Sequence, residues 1–326
     1  MRDHDSATAS FLDSGSGGAT LAGLGVLTFS FSFPATAWAL DGGHGLGPWT
    51  VTGVRGVLAA LLALACLRRG RVPVPERRHW RGLLAVALGC VVGFPLLTTL
   101  ALQTSTSAHS AVVIGVLPLA TAAVSAVLGR TRLSPWFWGA AGVGALVVAV
   151  FALQQNHGRP TAADLCLFGA LLVCAVGYAE GGRLARELPG WQVIAWGVVA
   201  ALPVTALTAA VALAVEPVGL TAHALTGIGY LAAVSQFGGF VLWYRGMAVI
   251  GVPRASQLQL AQPLLTLLWS VLLLGERLPA SALVAAVLVL GCIATTQRFG
   301  RRAPEPGKAL GVSAGGPAVP HGGQSD

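Results

Sequence analysis

Charge is scarce in this sequence. Of 326 residues, 10% are Asp, Glu, Lys or Arg against 55% hydrophobic, and the mean hydropathy is +0.74. A water-soluble domain carries far more charge to cover its surface, so the scarcity excludes one. Lysine is nearly missing: Lys308, followed by Ala309, stands alone. The phosphate loop of an ATP-driven pump requires a lysine before Ser or Thr, and this chain does not supply it. There is no HExxH and no pair of aspartates in an apolar segment, which leaves an intramembrane enzyme without metal ligands or an acid–base pair. No catalytic residue, metal site or cofactor is therefore expected. The five cysteines, Cys66, Cys90, Cys166, Cys174 and Cys292, lie in or at the ends of apolar segments without CxxC spacing. They read as small core hydrophobes, not as disulfides or metal ligands.

What the chain has is apolar length. Ten stretches approach the ~20 residues that cross ~30 Å of hydrocarbon as a helix. They run from 19 to 40, 48 to 67, 80 to 102, 107 to 129, 135 to 153, 163 to 183, 191 to 215, 223 to 244, 252 to 274 and 279 to 297. A lipid-facing backbone must satisfy its own polar groups, and the alternating short segments of a membrane barrel are absent, so the expected fold is an all-α integral membrane bundle. With both termini in the cytoplasm, ten spans sort all 20 Lys and Arg to that side except Arg55, Arg159 and Arg277. That sorting accounts for the net charge of +8 without nucleic acid and favours the cell membrane as location. The first span ends in "ATAWAL", which imitates a signal-peptidase site. Asp3, Asp5 and Asp13 before it and the length of its apolar run favour an uncleaved helix. Residues 1 to 18 and 298 to 326 are expected to be cytoplasmic tails, flexible because Gly, Ser, Pro and Ala bury too little surface. The basic loop "RRGRVPVPERRHWR" suits a connector lying on anionic headgroups.

The chain repeats itself. "LPLATAAVSAVLGRTRL" at 117 to 133 is a ragged copy of "QPLLTLLWSVLLLGERL" at 262 to 278, 145 residues later. Ungapped, the alignment pairs Pro118 with Pro263, Thr121 with Thr266, Ser125 with Ser270 and Arg132 with Arg277, together with three leucine matches. The same offset sets Gly93 on Gly238. The expected organisation is a first five-helix repeat over 19 to 153, an external connector over 154 to 162 and a second repeat over 163 to 297. Five is odd, so the second repeat enters the bilayer inverted, a plan associated with alternating access. Each proline falls near the bilayer midplane, where it removes a backbone hydrogen bond and either kinks a packed helix or faces a wet cavity.

"WYRGMAVIGVPRASQLQLAQPLLTLLWSVLLLGERL" and its weaker partner "ALQTSTSAHSAVVIGVLPLATAAVSAVLGRTRL" resemble the paired EamA-type repeats of the drug/metabolite transporter superfamily. The resemblance covers about 19 to 297 and is strongest in the second half. It implies a ten-helix carrier, commonly an exporter of amino acids, other metabolites or drugs. One departure stands out: where the second repeat has Gly275 and Glu276, the first has Arg130 and Thr131.

Candidate binding residues follow from polar stripes. At 100° per residue, Gln259, Pro263, Thr266 and Ser270 share a face in span 9, flanked by Ser256 and Gln262; span 4 echoes this with Ser107, Ser110, Pro118, Thr121 and Ser125. Neutral amides and hydroxyls can orient a polar solute without the cost of burying a charge, or they can bond helix to helix. Gln236, Phe240 and Trp243 share a face of span 8 and offer aromatic walls, although Trp243 and Tyr244 also fit an interfacial belt. Ser30, Phe33, Pro34 and Trp38 are the corresponding group in span 1. Glu180 can serve ion coupling, such as proton binding, or pair with Arg183 at i, i+3 near the interface. Arg55 can anchor span 2 or attract an anionic group; its depth argues against a direct pair with Glu180. His109 reads as a polar residue near a loop. Gly89, Gly93, Gly139, Gly142 and Gly144 read as close-packing positions.

The expectation is a secondary transporter, an exporter of small organic metabolites (amino acids or related compounds) or drugs. Its partners are then a small-molecule substrate, the bilayer and a coupling ion such as a proton, with a homodimer left open. A non-transporting receptor or scaffold of the same fold is the alternative, ahead of an intramembrane enzyme.

Overall fold

The computed structural model describes residues 14–129, 134–155, 159–250 and 258–299. Most of both expected tails, Ser256 and the pair Arg130 and Thr131 lie outside them. Ten helical segments follow in order: α1 Gly15–Gly43, α2 Pro48–Arg69, α3 Arg77–Ala101, α4 Ser107–Leu128, α5 Pro135–Gln155, α6 Ala162–Leu184, α7 Gly190–Val215, α8 Ala222–Gly246, α9 Ala261–Leu274 and α10 Ala280–Phe299. The first eight are long and apolar enough to cross a membrane, and the last two are shorter in the described residues. α1 begins at Gly15, earlier than the apolar run itself, because the Ser14 hydroxyl accepts from the Gly17 N–H at 3.1 Å and caps the helix.

The helix pairing obeys a two-fold. α1 packs along α8 as α6 packs along α3, while α2, α4 and α5 each lie on their own counterparts α7, α9 and α10. Irregularities recur at the 145-residue offset. α3 widens into a π-helical stretch over Ala87–Gly93, and α8 does so over Tyr230–Gly238. α4 breaks at Gly115 and Val116, between Ser107–Ile114 and Leu117–Leu128, and α9 starts after a turn at Leu260. Each break comes just before its proline, as expected of a residue that cannot donate to the preceding turn. The fold is thus an all-α membrane bundle of two inverted five-helix repeats.

Close approaches depend on glycine at particular contacts. A Cβ on Gly53 would meet the Ala209 backbone N at 2.5 Å, and one on Gly89 would run into the Val173 carbonyl. Gly144 faces Leu119. Gly139 and Gly142 correct the expectation of close packing: nothing lies within 4 Å of a Cβ there, because α5 sits at the edge of the bundle against α10 and turns that face outward.

Arg68, Arg69, Arg77, Arg78, Arg81, Arg183 and Arg186 gather at one end of the bundle, called here the basic face. Asp41, Asp164, Glu216 and Glu276 lie at the other, the acid-rich face.

Candidate functional site

The acid-rich face is closed by three carboxylates, each reaching between the repeats. Glu216, just past α7, accepts the Thr50 N–H at 2.8 Å and the Thr50 hydroxyl at 2.9 Å at the head of α2. Glu276, just past α9, accepts the N–H groups of Ser107 and Ala108 at 2.8 and 2.9 Å at the head of α4. Both use the free donors and positive pole of a helix start. Gly275 makes the second reach possible: in the left-handed region (φ 65°) it ends α9 and turns the chain so that Glu276 faces α4. Asp164 closes a capping box with Thr161 and bonds His109 Nε2 at 2.7 Å; the His109 ring stacks on Phe151. His109 is therefore near a loop, as expected, but tied to the opposite repeat. A short antiparallel bridge between Leu46 and Val218 completes the seal.

Among the described residues the basic face is open between α4, α6 and α8. A vestibule of about 450 Å³ enters there, walled by Thr121, Ser125 and Leu128, by Tyr178, Glu180, Arg183 and Arg186, and by Phe240, Trp243, Tyr244 and Gln259. Glu180 lies in this wall, bonded by Arg183 Nε at 2.9 Å, so the i, i+3 pair forms. Trp243 and Tyr244 are buried against the vestibule and not set in a lipid-facing belt. Deeper in, a chamber of about 50 Å³ is lined by Arg55, Gln236, Gln262, Ser32, Phe33 and Thr36 among others. Tyr178 and Phe240 border both spaces, edge to face with ring centroids 6.1 Å apart. A third small cleft, shared by Gln259, Gln262, Pro263, Thr266 and Pro118, joins the two helix breaks.

Most of the expected residues converge on these spaces: Gln259, Gln262, Pro263, Thr266, Pro118, Thr121, Gln236 and Trp243. Two do not. The Ser30 hydroxyl donates to the Leu27 carbonyl and accepts from Trp269 Nε1 at 2.9 Å, and its carbonyl accepts from the Thr266 hydroxyl. Ser30 thus fastens α1 to α9, and neither it nor Pro34 lines a cavity described above. The reason is the interruption of α1 at Phe31 (ψ −3°), which rotates Ser32, Phe33 and Thr36 toward the chamber instead. Tyr178, Glu216 and Asp164 were not singled out by pattern, and Glu276 stood out only as a departure between the repeats. The signal for Glu216 and Glu276 was a lone acid one or two residues past an apolar run, beside Pro217 in one case and Gly275 in the other.

This geometry carries a direct test. Ser125→Cys, exposed in the vestibule wall, is expected to react with a membrane-impermeant maleimide added at the basic face, whereas Ser30→Cys, fully buried in the joint, stays unlabelled under the same exposure. Equal labelling of the two would contradict the described packing.

The profile of the EamA-like transporter family matches residues 16–153 and again 161–296. Over 281 residues the chain is 40% identical to the "Uncharacterized transporter YdeK" of Bacillus subtilis (strain 168), spanning 85% of this chain and 96% of that relative. A solved crystal structure has the same fold, with a TM-score of 0.62 at 20% identity over 87% of this chain and 97% of the other. The paired matches divide between α5 and α6, where the structure divides the two inverted repeats, and a vestibule runs in between them: the chain is a multi-pass membrane transporter and belongs to the EamA-like transporter family.

Proposed function

We propose that this transporter is a secondary carrier of the cell membrane that exports small organic metabolites, amino acids or related compounds, or drugs, by alternating access. The basic face is the cytoplasmic one on this reading, because short loops rich in arginine are retained on that side. Both termini are then cytoplasmic. The observation that carries the reading is the asymmetry of closure: a vestibule open between the repeats at the basic face, and cross-repeat carboxylate caps sealing the opposite one. A carrier caught open to the cytoplasm presents its site to solutes made inside. Matched breaks in α4 and α9 give each repeat a half-helix that can swing without unwinding the rest.

Gln259 and Gln262 lie where the breaks meet, and both remain partly accessible. Each can offer an amide donor and acceptor to a passing solute. Counterflow in proteoliposomes, screened with amino acids and lipophilic cations, tests the function. A solute that exchanges in the wild type is expected to show a half-saturating concentration a few-fold higher in Gln259→Ala or Gln262→Ala, the loss of one hydrogen bond worth about 1 kcal/mol. No counterflow of any solute would count against a carrier; unchanged counterflow in both variants would remove the glutamines from the path.

A further inference from the structure

Arg55 is 6% exposed, its Nε is buried without a partner, and among the described residues no hydrogen bond or ion pair holds its guanidinium. It sits seven residues into α2, about 10 Å from the acid-rich end at ~1.5 Å per residue, within the hydrocarbon span. A charge buried there unpaired is expensive and is kept where a ligand will pair it. No acidic residue stands among the described residues that line its chamber. The same chamber holds the complementary orphan: Gln236 is 1% exposed, its Nε2 donates to the Cys90 carbonyl at 3.4 Å, and its Oε1 accepts nothing. One chamber is thus lined by two residues, one with an unsatisfied cationic donor and the other with an unsatisfied neutral acceptor.

We infer that this chamber is the head-group site for an amphipathic monocarboxylate, with Arg55 binding the carboxylate and Gln236 accepting from a hydroxyl or ammonium group beside it. The inference rests on the carrier reading and gives it a substrate class. A planar guanidinium matches a carboxylate in two parallel hydrogen bonds, and one cation neutralises one negative charge, which disfavours dianions in so dry a site. Size sets the rest of the molecule. The chamber of about 50 Å³ admits a few water-sized groups and no whole metabolite, so the body of the solute must lie past Tyr178 and Phe240 in the vestibule. That space is faced by Tyr178, Phe240, Trp243 and Tyr244, walls suited to an aromatic or aliphatic tail.

Phenyllactate, its neutral amide phenyllactamide, and phenylpropionate, which lacks the hydroxyl, probe the two contacts separately. Binding of radiolabelled phenyllactate to the purified full chain in detergent is measured with the other two as competitors. The amide is expected to compete about tenfold or more weakly, because it leaves Arg55 unpaired, and phenylpropionate to fall between them. Arg55→Gln should erase the preference for acid over amide, and Arg55→Lys should keep it while weakening phenyllactate about tenfold, since a point charge replaces the fork. Absence of phenyllactate binding to the wild type, equal competition by acid and amide, or an acid preference that survives in Arg55→Gln each overturns the proposal. The wild-type competition decides by itself if Arg55→Gln does not elute as a folded, monodisperse protein. Counterflow of the same compounds separates the two readings. Acid-selective binding without flux leaves the head-group site standing and removes the carrier. Flux of neutral or cationic solutes unaffected by Arg55→Gln, with no acid binding, leaves the carrier and removes the site.

Discussion

Glu276→Ala is expected to open the acid-rich face. In the closed structure the carboxylate satisfies two backbone donors, on Ser107 and Ala108, both buried. Losing a partner costs about 1–3 kcal/mol for each buried group left unsatisfied, and the site also loses a negative charge at the positive end of α4. Even the low end for two donors, about 2 kcal/mol, shifts a two-state equilibrium more than tenfold at 1.4 kcal/mol per decade. The measurement is labelling of Thr98→Cys, deep in the chamber, by an impermeant maleimide supplied from the acid-rich side. The rate should rise more than tenfold in Glu276→Ala and less in Glu276→Gln, which keeps one acceptor oxygen. An unchanged rate in both would show that the cap does not hold this face shut. Glu216→Ala should act in the same direction through Thr50.

The second large effect is structural. Gly53→Val should cost more than the about 1–3 kcal/mol typical of overpacking, because the obstacle is the Ala209 backbone, which cannot rotate away, and because α2 meets α7 again at Gly56, where a Cβ would run into Thr205. The two helices lie together along much of their length. A falling thermal midpoint and loss of the monodisperse peak on size exclusion are the expected readouts. Gly142→Val, at a position with open space around it, is the matched control and should leave both unchanged. Equal tolerance of the two substitutions would mean that the α2–α7 contact is looser than described.

The repeat was legible because it rests on residues whose effect is local. A proline cannot donate to the preceding turn whatever its neighbours, so Pro118 and Pro263 pointed to the interruptions at Gly115 and Leu260, although α7 runs on through Pro203. Span limits followed from hydropathy for the same reason. The stripe in span 1 failed because 100° per residue presumes an unbroken helix, whereas α1 is interrupted at Phe31, three residues before Pro34 as α4 and α9 are before their prolines, and the turn changes the phase of the residues that follow. The sealing roles of Glu216, Glu276 and Asp164 escaped because such a bond is a relation between distant segments, 166 residues apart for Thr50 and Glu216. Periodicity within one helix cannot report it. Gly139 and Gly142 show the converse error, in which composition indicates that helices can approach there but not whether one does.

The interruption in α1 has no counterpart. α6 occupies the equivalent place in the second repeat and runs unbroken from Ala162 to Leu184. If the halves trade conformations, the product is not superimposed on the starting point by the two-fold, and its energy differs. Each ~1.4 kcal/mol of that difference is a decade in occupancy. Such a machine idles with its mouth predominantly toward one compartment, and its turnover is paced by the climb out of that preferred rest.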